Sequence, residues 1–157
     1  SGGVSVGEED HVKEAVETLG ELNLWKLAIK PGKPFAYGHI NGTPLLALPG
    51  NPAAVFVTFC VLCRPWLLKK QGAVNTDAPV YPLPAGFSRT RKASRQEYLR
   101  SRVELVDGTL KVIPYPNQSS GVLSSACWGN GFAVVPVDTV IEEGNRVSFL
   151  AFSDLLY

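Results

Sequence analysis

Methionine is absent from all 157 residues, position 1 included, so the chain is expected to continue upstream of Ser1, where SGGVSVG already reads as the middle of a motif. Cysteine is scarce: Cys60, Cys63 and Cys127 form an odd set, which argues against a disulfide framework and fits a reducing cytosol. The CVLC spacing of the first two invites a redox or zinc reading, but no second pair follows to complete four ligands. Buried thiols acting as small hydrophobes are expected instead. Long apolar runs are missing too. The most apolar stretch, residues 53–63, falls short of the roughly 20 residues a membrane-spanning helix needs, and no leader pattern opens the chain, so neither secretion nor membrane insertion is expected. An excess of one charge is also lacking: a net charge of +1 gives no global attraction for nucleic acid or acidic lipid.

What is present is a composition of 45% hydrophobic and 18% charged residues, enough for one ordinary domain or two small ones. A glycine-rich loop at 1–7 leads into a predicted helix over 8–19, with Ser5 and Glu8 at capping-box spacing and Gly20 as the terminating residue. Residues 24–30 alternate, with Trp25, Leu27 and Ile29 on one strand face and Lys26, Ala28 and Lys30 on the other, so two ammonium groups are expected to point the same way. Strands at 35–40 and 43–48 flank Asn41-Gly42, the signature of a type I′ hairpin. After Pro49-Gly50-Asn51-Pro52, residues 53–64 read as a helix with Asn51 at the N-cap, kinked or ended by Pro65.

Between 74 and 94 three prolines and the basic run RTRKASR mark a boundary. We place it between units 1–75 and 76–157. Beyond it, strands at 98–106, 110–115, 132–137 and 146–152 are separated by turn signals such as Asp107-Gly108, an all-β pattern of a small barrel or sandwich.

Two loops that run into helices, SGGVSVG and LPGNP, place amide donors and the positive end of a helix dipole where an anion could bind. Lys26, Lys30 and Lys33 add point charges, and Pro31, Pro34, Pro49 and Pro52 stiffen the loops. Asp10 complements the dipole of the first helix or holds Mg²⁺ beside a phosphate; spacing leaves both open. His11 and His39 are read as surface or strand-packing residues, Trp128 as a core or interface residue, and Arg89, Arg91, Lys92 and Arg95 as a solvated linker without the interleaved aromatics of a nucleic-acid surface.

The order SGGVSVGEED, LWKLAIKPGKPFAYG, LPGNP, and later NQSSGVLSSACWGNGFAVVP with EEGNRVSFLAF, resembles the molybdopterin molybdenumtransferase family, which includes the bacterial enzyme and the C-terminal domain of gephyrin. The resemblance implies a partial three-layer α/β molybdopterin-binding domain followed by a small β-barrel domain. It implies insertion of molybdenum from molybdate into adenylylated molybdopterin with release of AMP, dependent on Mg²⁺, in a cytoplasmic homodimer with no membrane or nucleic-acid partner. By matching motifs, Asp10 would be the carboxylate at the molybdate or metal site, Lys26 and Lys30 the catalytic lysines, and Lys33 a further basic contact. Gly2, Gly3 and Ser5 would lie in the ligand loop, with Pro49, Gly50, Asn51 and Pro52 forming the rigid loop of the pocket.

The chain departs from the family pattern where Ala53 and Ala54 stand in place of Val-Ser, and where His11 stands in place of Tyr. The preceding domains are not in this sequence, so this chain by itself is expected to be inactive. Two other readings are a molybdopterin adenylyltransferase of the same pathway, against which the appended β region argues, and a gephyrin-like scaffold without catalysis.

Overall fold

The computed structural model describes residues 11–156, apart from the side chains of Leu24 and Trp25. Helix α1 (His11–Leu19) buries Val16, and its Val12 packs with Leu22 against Ala36 and Ala47. Strand β1 (Gly20–Trp25) follows directly. The helix ends just before Gly20, as the sequence suggests, but Gly20 opens β1 without the positive φ of a left-handed cap. A Cβ at this position would lie 1.8 Å from the His39 carbonyl oxygen, so the residue is glycine because the neighbouring strand passes too close for any side chain.

That neighbour is β3 (Ala36–Ile40), which also pairs with β4 (Thr43–Ala47) in an antiparallel sheet of order β1-β3-β4. Between β3 and β4, Asn41 and Gly42 have φ of 49° and 76°, the two left-handed residues a type I′ turn requires, with Ile40 opposite Thr43 as the sequence predicts. His39 packs within this sheet, its Nδ1 3.0 Å from Asn23 Oδ1.

The predicted single strand over 24–30 is broken. Lys26 adopts φ 76°, its N–H donates to the Phe35 carbonyl at 2.9 Å, and Leu27 N–H donates to Lys33 O at 2.9 Å. The chain then crosses to a second sheet as β2 (Ile29–Lys30). Alternation predicts extended backbone on each side of Lys26 but carries no signal for one left-handed residue between two short extended pieces. Lys26 therefore lies outside any strand, just past the end of β1, while Lys30 lies in β2 of the second sheet, and the two share no strand face.

The second sheet contains β5 (Tyr81–Pro84), β6 (Gln96–Val106), β7 (Thr109–Pro114), β8 (Gly131–Val135) and β9 (Arg146–Ala151). Its order is β2-β6-β8-β9-β5, with β7 also paired to β6. Sequence reading missed β5 because it carries Pro82 and Pro84; as an edge strand bonded only to β9 it tolerates residues with no N–H to donate. Short helices α4 (Ser124–Trp128) and α5 (Phe152–Leu156) were also not predicted.

The sheet curls around Leu99, Val112, Ala133, Val135 and Phe149, but among the described residues no ladder joins β5 to β7. Their ends meet at one bridge, Ala85 to Val112, so the predicted closed barrel is not seen.

From Pro52 to Lys70 the chain is helical throughout: α2 (Pro52–Thr58), a π-helical stretch (Phe59–Cys63) and α3 (Arg64–Lys70). Pro65 does not end this helix. The wider π turn, in which Arg64 N–H reaches back five residues to Phe59 O, absorbs the residue that cannot donate. At 19 residues and a mean hydropathy of 1.4, the helix has the length and composition to cross a membrane, which the shorter apolar run alone does not.

Its apolar face, however, is used inside the protein. Val57 and Cys60 join Tyr98, Phe132 and Leu155 in one core, and the Phe56, Phe132 and Phe152 rings lie 4.8–5.6 Å apart. Such ring pairs each add about 0.5–1.5 kcal/mol beyond area burial. The helix and the second sheet are thus fastened by a shared core.

Burial pushes the Cys60 thiol, against a smaller opposing effect of the Arg64 charge, and the Cys63 thiol up to about 11. Cys127 is exposed. At pH 8 a thiol with pKa 11 is about one part in a thousand thiolate. Iodoacetamide labelling of the native protein, followed by mass spectrometry, should modify Cys127 first and reach Cys60 and Cys63 only after denaturation; rapid native labelling of either buried thiol would contradict this packing.

Candidate functional site

A cleft of about 570 Å³ opens where the two sheets and the long helix meet. One wall is the β2–β3 connection, Lys30-Pro31-Gly32-Lys33-Pro34, and the second is Pro49-Gly50-Asn51 with Ala54 at the start of α2. Arg95 and the segment Gln118-Ser119-Ser120 close it from the other side. The first connection turns tightly at Gly32, with φ +121°; a Cβ there would come within 2.6 Å of Thr58 Oγ1, so only glycine lets this loop lie against the helix. Pro31 and Pro49 are buried, which holds both loops to the body of the protein.

Opposing loops are joined by hydrogen bonds. Asn51 Nδ2 donates to Ser120 Oγ at 3.0 Å, and Ala53 N–H donates to Ser120 O at 3.0 Å. Asn51 therefore occupies the N-cap position without a side-chain cap, because its amide faces Ser120 instead. One of the helix-start amides that sequence reasoning offered to a ligand is taken by the protein itself.

Behind Ser119 and Ser120 lies Arg100, fully buried. Its Nε donates to Ser125 Oγ at 2.9 Å and one terminal nitrogen donates to Ser119 O at 3.0 Å, while the other has no partner among the described residues. Burial lowers the pKa of this guanidinium from its ordinary value. The backbone of Arg100 is also tied to Gln118, which accepts from its N–H at 3.0 Å and donates to its carbonyl at 2.9 Å. A single residue of β6 therefore sets the position of the 118–120 wall.

Lys30 reaches Glu97, the residue paired opposite it on β6. Its Nζ lies 3.3 Å from Glu97 Oε1, while Arg89 donates to Glu97 Oε2 at 2.7 Å. The Glu97 side chain is 8% exposed. Burial alone would raise its pKa, but the hydrogen bonds and charges of Arg89 and Lys30 outweigh that and hold the carboxyl below its ordinary 4.5. Arg95 donates to the Ile29 carbonyl at 3.1 Å rather than to a carboxylate. Among the described residues the cleft lining thus carries Lys30, Lys33 and Arg95 and no acidic side chain, an arrangement suited to an oxyanion.

Comparison with known proteins accounts for both ends of the chain. The family model described as probable molybdopterin binding domain matches residues 1–69, and that described as MoeA C-terminal region (domain IV) matches residues 82–152. A molybdopterin molybdenumtransferase from Haemophilus influenzae is 35% identical over 99% of this chain and 39% of its own length; one from a Nostoc species is 33% identical over 96% and 36%. The chain belongs to the molybdopterin molybdenumtransferase family.

Among solved structures, a molybdopterin biosynthesis MoeA protein from Pyrococcus horikoshii aligns with TM-score 0.70 at 29% identity, over 91% of this chain and 35% of that one. A molybdenum cofactor biosynthesis protein from Pyrococcus furiosus aligns with TM-score 0.67 at 26% identity, over 92% and 55%. The chain spans well under half the length of the curated relatives it matches.

Of the residues that the molybdopterin molybdenumtransferase motifs single out, the fold brings Lys30, Lys33, Pro49, Gly50 and Asn51 to one cleft. Lys26 is exposed and is not among its walls, and Pro52 sits just behind Asn51 as the first residue of α2, also outside the lining. Gly2, Gly3, Ser5 and Asp10 lie outside the described residues. Four lining residues escaped sequence reading. Arg95 lies in a basic run whose composition suggests a solvated linker, and Gln118, Ser119 and Ser120 lie more than 60 positions from the loops they face. Their one local signal is the polar run NQSSG between a strand and CWGNG.

Because the folded pKa of Glu97 is depressed, the stability it contributes is fully present above the ordinary 4.5 and is lost as pH falls through the folded value. Urea unfolding of wild type and Glu97→Gln between pH 3 and 7 should show the variant less stable at pH 7 by roughly 1–3 kcal/mol, with the two converging in acid. Parallel curves would sink the assignment.

Proposed function

We propose that the protein to which this chain belongs transfers molybdenum from molybdate to adenylylated molybdopterin with release of AMP, and that the cleft between the Lys30–Pro34 loop and Ser119 holds the oxyanion. The observation that carries the reading is the lining itself: Lys30, Lys33 and Arg95 around loops stiffened by proline, with no carboxylate among the described residues, in a chain of this family.

The chemistry explains why cations are needed. Molybdate and the phosphoanhydride of the pterin substrate are both anions, so bringing molybdenum to the dithiolene sulfurs requires their repulsion to be screened. Lys33 and Arg95 have no carboxylate partner among the described residues, whereas part of the Lys30 charge is balanced by Glu97. Cations held in place by Gly32, Pro31 and Ile29 also stabilise negative charge developing on the leaving AMP without rearranging at that moment. Ser119 and Ser120 supply polar groups on the opposite wall, held in place by Arg100.

Magnesium is implied by the family resemblance, but the described residues do not fit it. No group of three His, Cys, Asp or Glu side chains lies together among them, and the cleft lining is cationic. Asp10 and Lys26 enter the proposal on the resemblance alone, as do the cytoplasmic location and a homodimer, which light scattering of the full-length protein tests. The adenylyltransferase alternative is disfavoured by the match of residues 82–152 to the MoeA C-terminal region.

The test is molybdate-dependent AMP release by the full-length protein supplied with adenylylated molybdopterin. Lys33→Ala and Arg95→Ala should each lower it about tenfold or more, on the scale of one charge-assisted contact, with circular dichroism unchanged. Wild-type rates in both variants would refute the cleft as the site.

A further inference from the structure

Beside the cleft lies a second, smaller cavity of about 240 Å³, lined by Lys30, Arg89, Arg91, Lys92 and Arg95, with Glu97 as the only carboxylate among the described residues. Glu97 is already shared between Lys30 and Arg89, so among the described residues Arg91, Lys92 and Arg95 have no acidic partner. The segment that carries them is no loose linker. Arg89 and Ile141 exchange two backbone hydrogen bonds of 2.6 and 2.9 Å, the Ala93 carbonyl accepts from Asp138 N–H at 2.9 Å, and Arg95 is tied to the Ile29 carbonyl. Ala93 is buried at 4% exposure. The backbone of this segment is thus held in place, five cations line one concave space, and their mutual repulsion favours an anion within it.

We propose that this pocket is a separate binding site for a small tetrahedral dianion of the phosphate type, either free or as the head of a phosphomonoester. Arg91 and Lys92 grip it from the solvent side and Arg89 from below. Lys30 and Arg95 line both cavities, so an anion in the pocket draws on two cations that the cleft also uses and repels an anion held there. Occupancy of one site therefore weakens the other, and by linkage the effect is mutual.

The site does not depend on the transferase reading, and its test reads binding and not AMP release. Inorganic phosphate and, separately, AMP are titrated calorimetrically into the full-length protein at ionic strength fixed with chloride. Saturable binding of one phosphate should weaken about tenfold or more in Arg91→Ala/Lys92→Ala and change less than twofold in Lys33→Ala, which touches the cleft alone. Both substituted arginine and lysine positions are exposed, so folding should survive. Comparable affinity for AMP and phosphate identifies a free oxyanion as the ligand, and tighter AMP binding with the same Arg91/Lys92 dependence identifies a phosphomonoester. Heats that fail to saturate, or binding lost in Lys33→Ala and kept in the double variant, would overturn the proposal.

Discussion

Two residue pairs of parallel backbone, Ile29 opposite Gln96 and Lys30 opposite Glu97, hold this molecule in the form its cleft requires. A parallel contact this short contributes little by itself, yet it is reinforced on both sides: Gln96 N–H donates to Ala28 O at 3.1 Å, and Arg95 reaches the Ile29 carbonyl. Through it the Lys30–Pro34 loop, which leads into the first sheet, is anchored on the second sheet. The aromatic contacts of Phe56 with Phe132 and Phe152 bring the long helix to the same place. Without this junction the lysines and the Ser119-Ser120 wall would face solvent separately.

The two most buried charges near the cleft are accommodated in different ways. Glu97 is surrounded by cations and stays ionised because their attraction exceeds the desolvation that opposes it. Arg100 has no carboxylate among the described residues; it is met by Ser125 and the Ser119 carbonyl, with one nitrogen unpartnered. A buried guanidinium held by neutral acceptors is energetically expensive, and here it sits at the base of the loop that forms a cleft wall. Both residues lie on β6, one turned toward the cationic loops and the other toward the serine segment.

Local chemistry made some features legible in advance. Asn41-Gly42 and Asp107-Gly108 specify hairpins because adjacent left-handed residues are needed there, and both pairs have positive φ. Lys30 and Lys33 are legible because they lie three positions apart in one proline-stiffened loop, and Pro49 because it stands in a proline-glycine loop of its own before a helix. Features that depend on pairing partners stayed hidden: β5, whose prolines are tolerated only at a sheet edge; the π turn that carries the helix past Pro65; and the failure of the second sheet to close by more than the Ala85–Val112 bridge.

By itself, then, the sequence determined the turn chemistry, the apolar faces and the clustering of basic residues beside rigid loops, since each follows from interactions between residues close in the chain. Only tertiary structure decided which cations meet. Lys26, left-handed and past the end of β1, is not in the cleft lining, and the β2–β6 pairing brings Arg95 and Ser119 there instead. The physical reason is that a backbone bend of one residue is worth little energy locally, so long-range hydrogen bonds and core packing, which no short window of sequence contains, settle its direction.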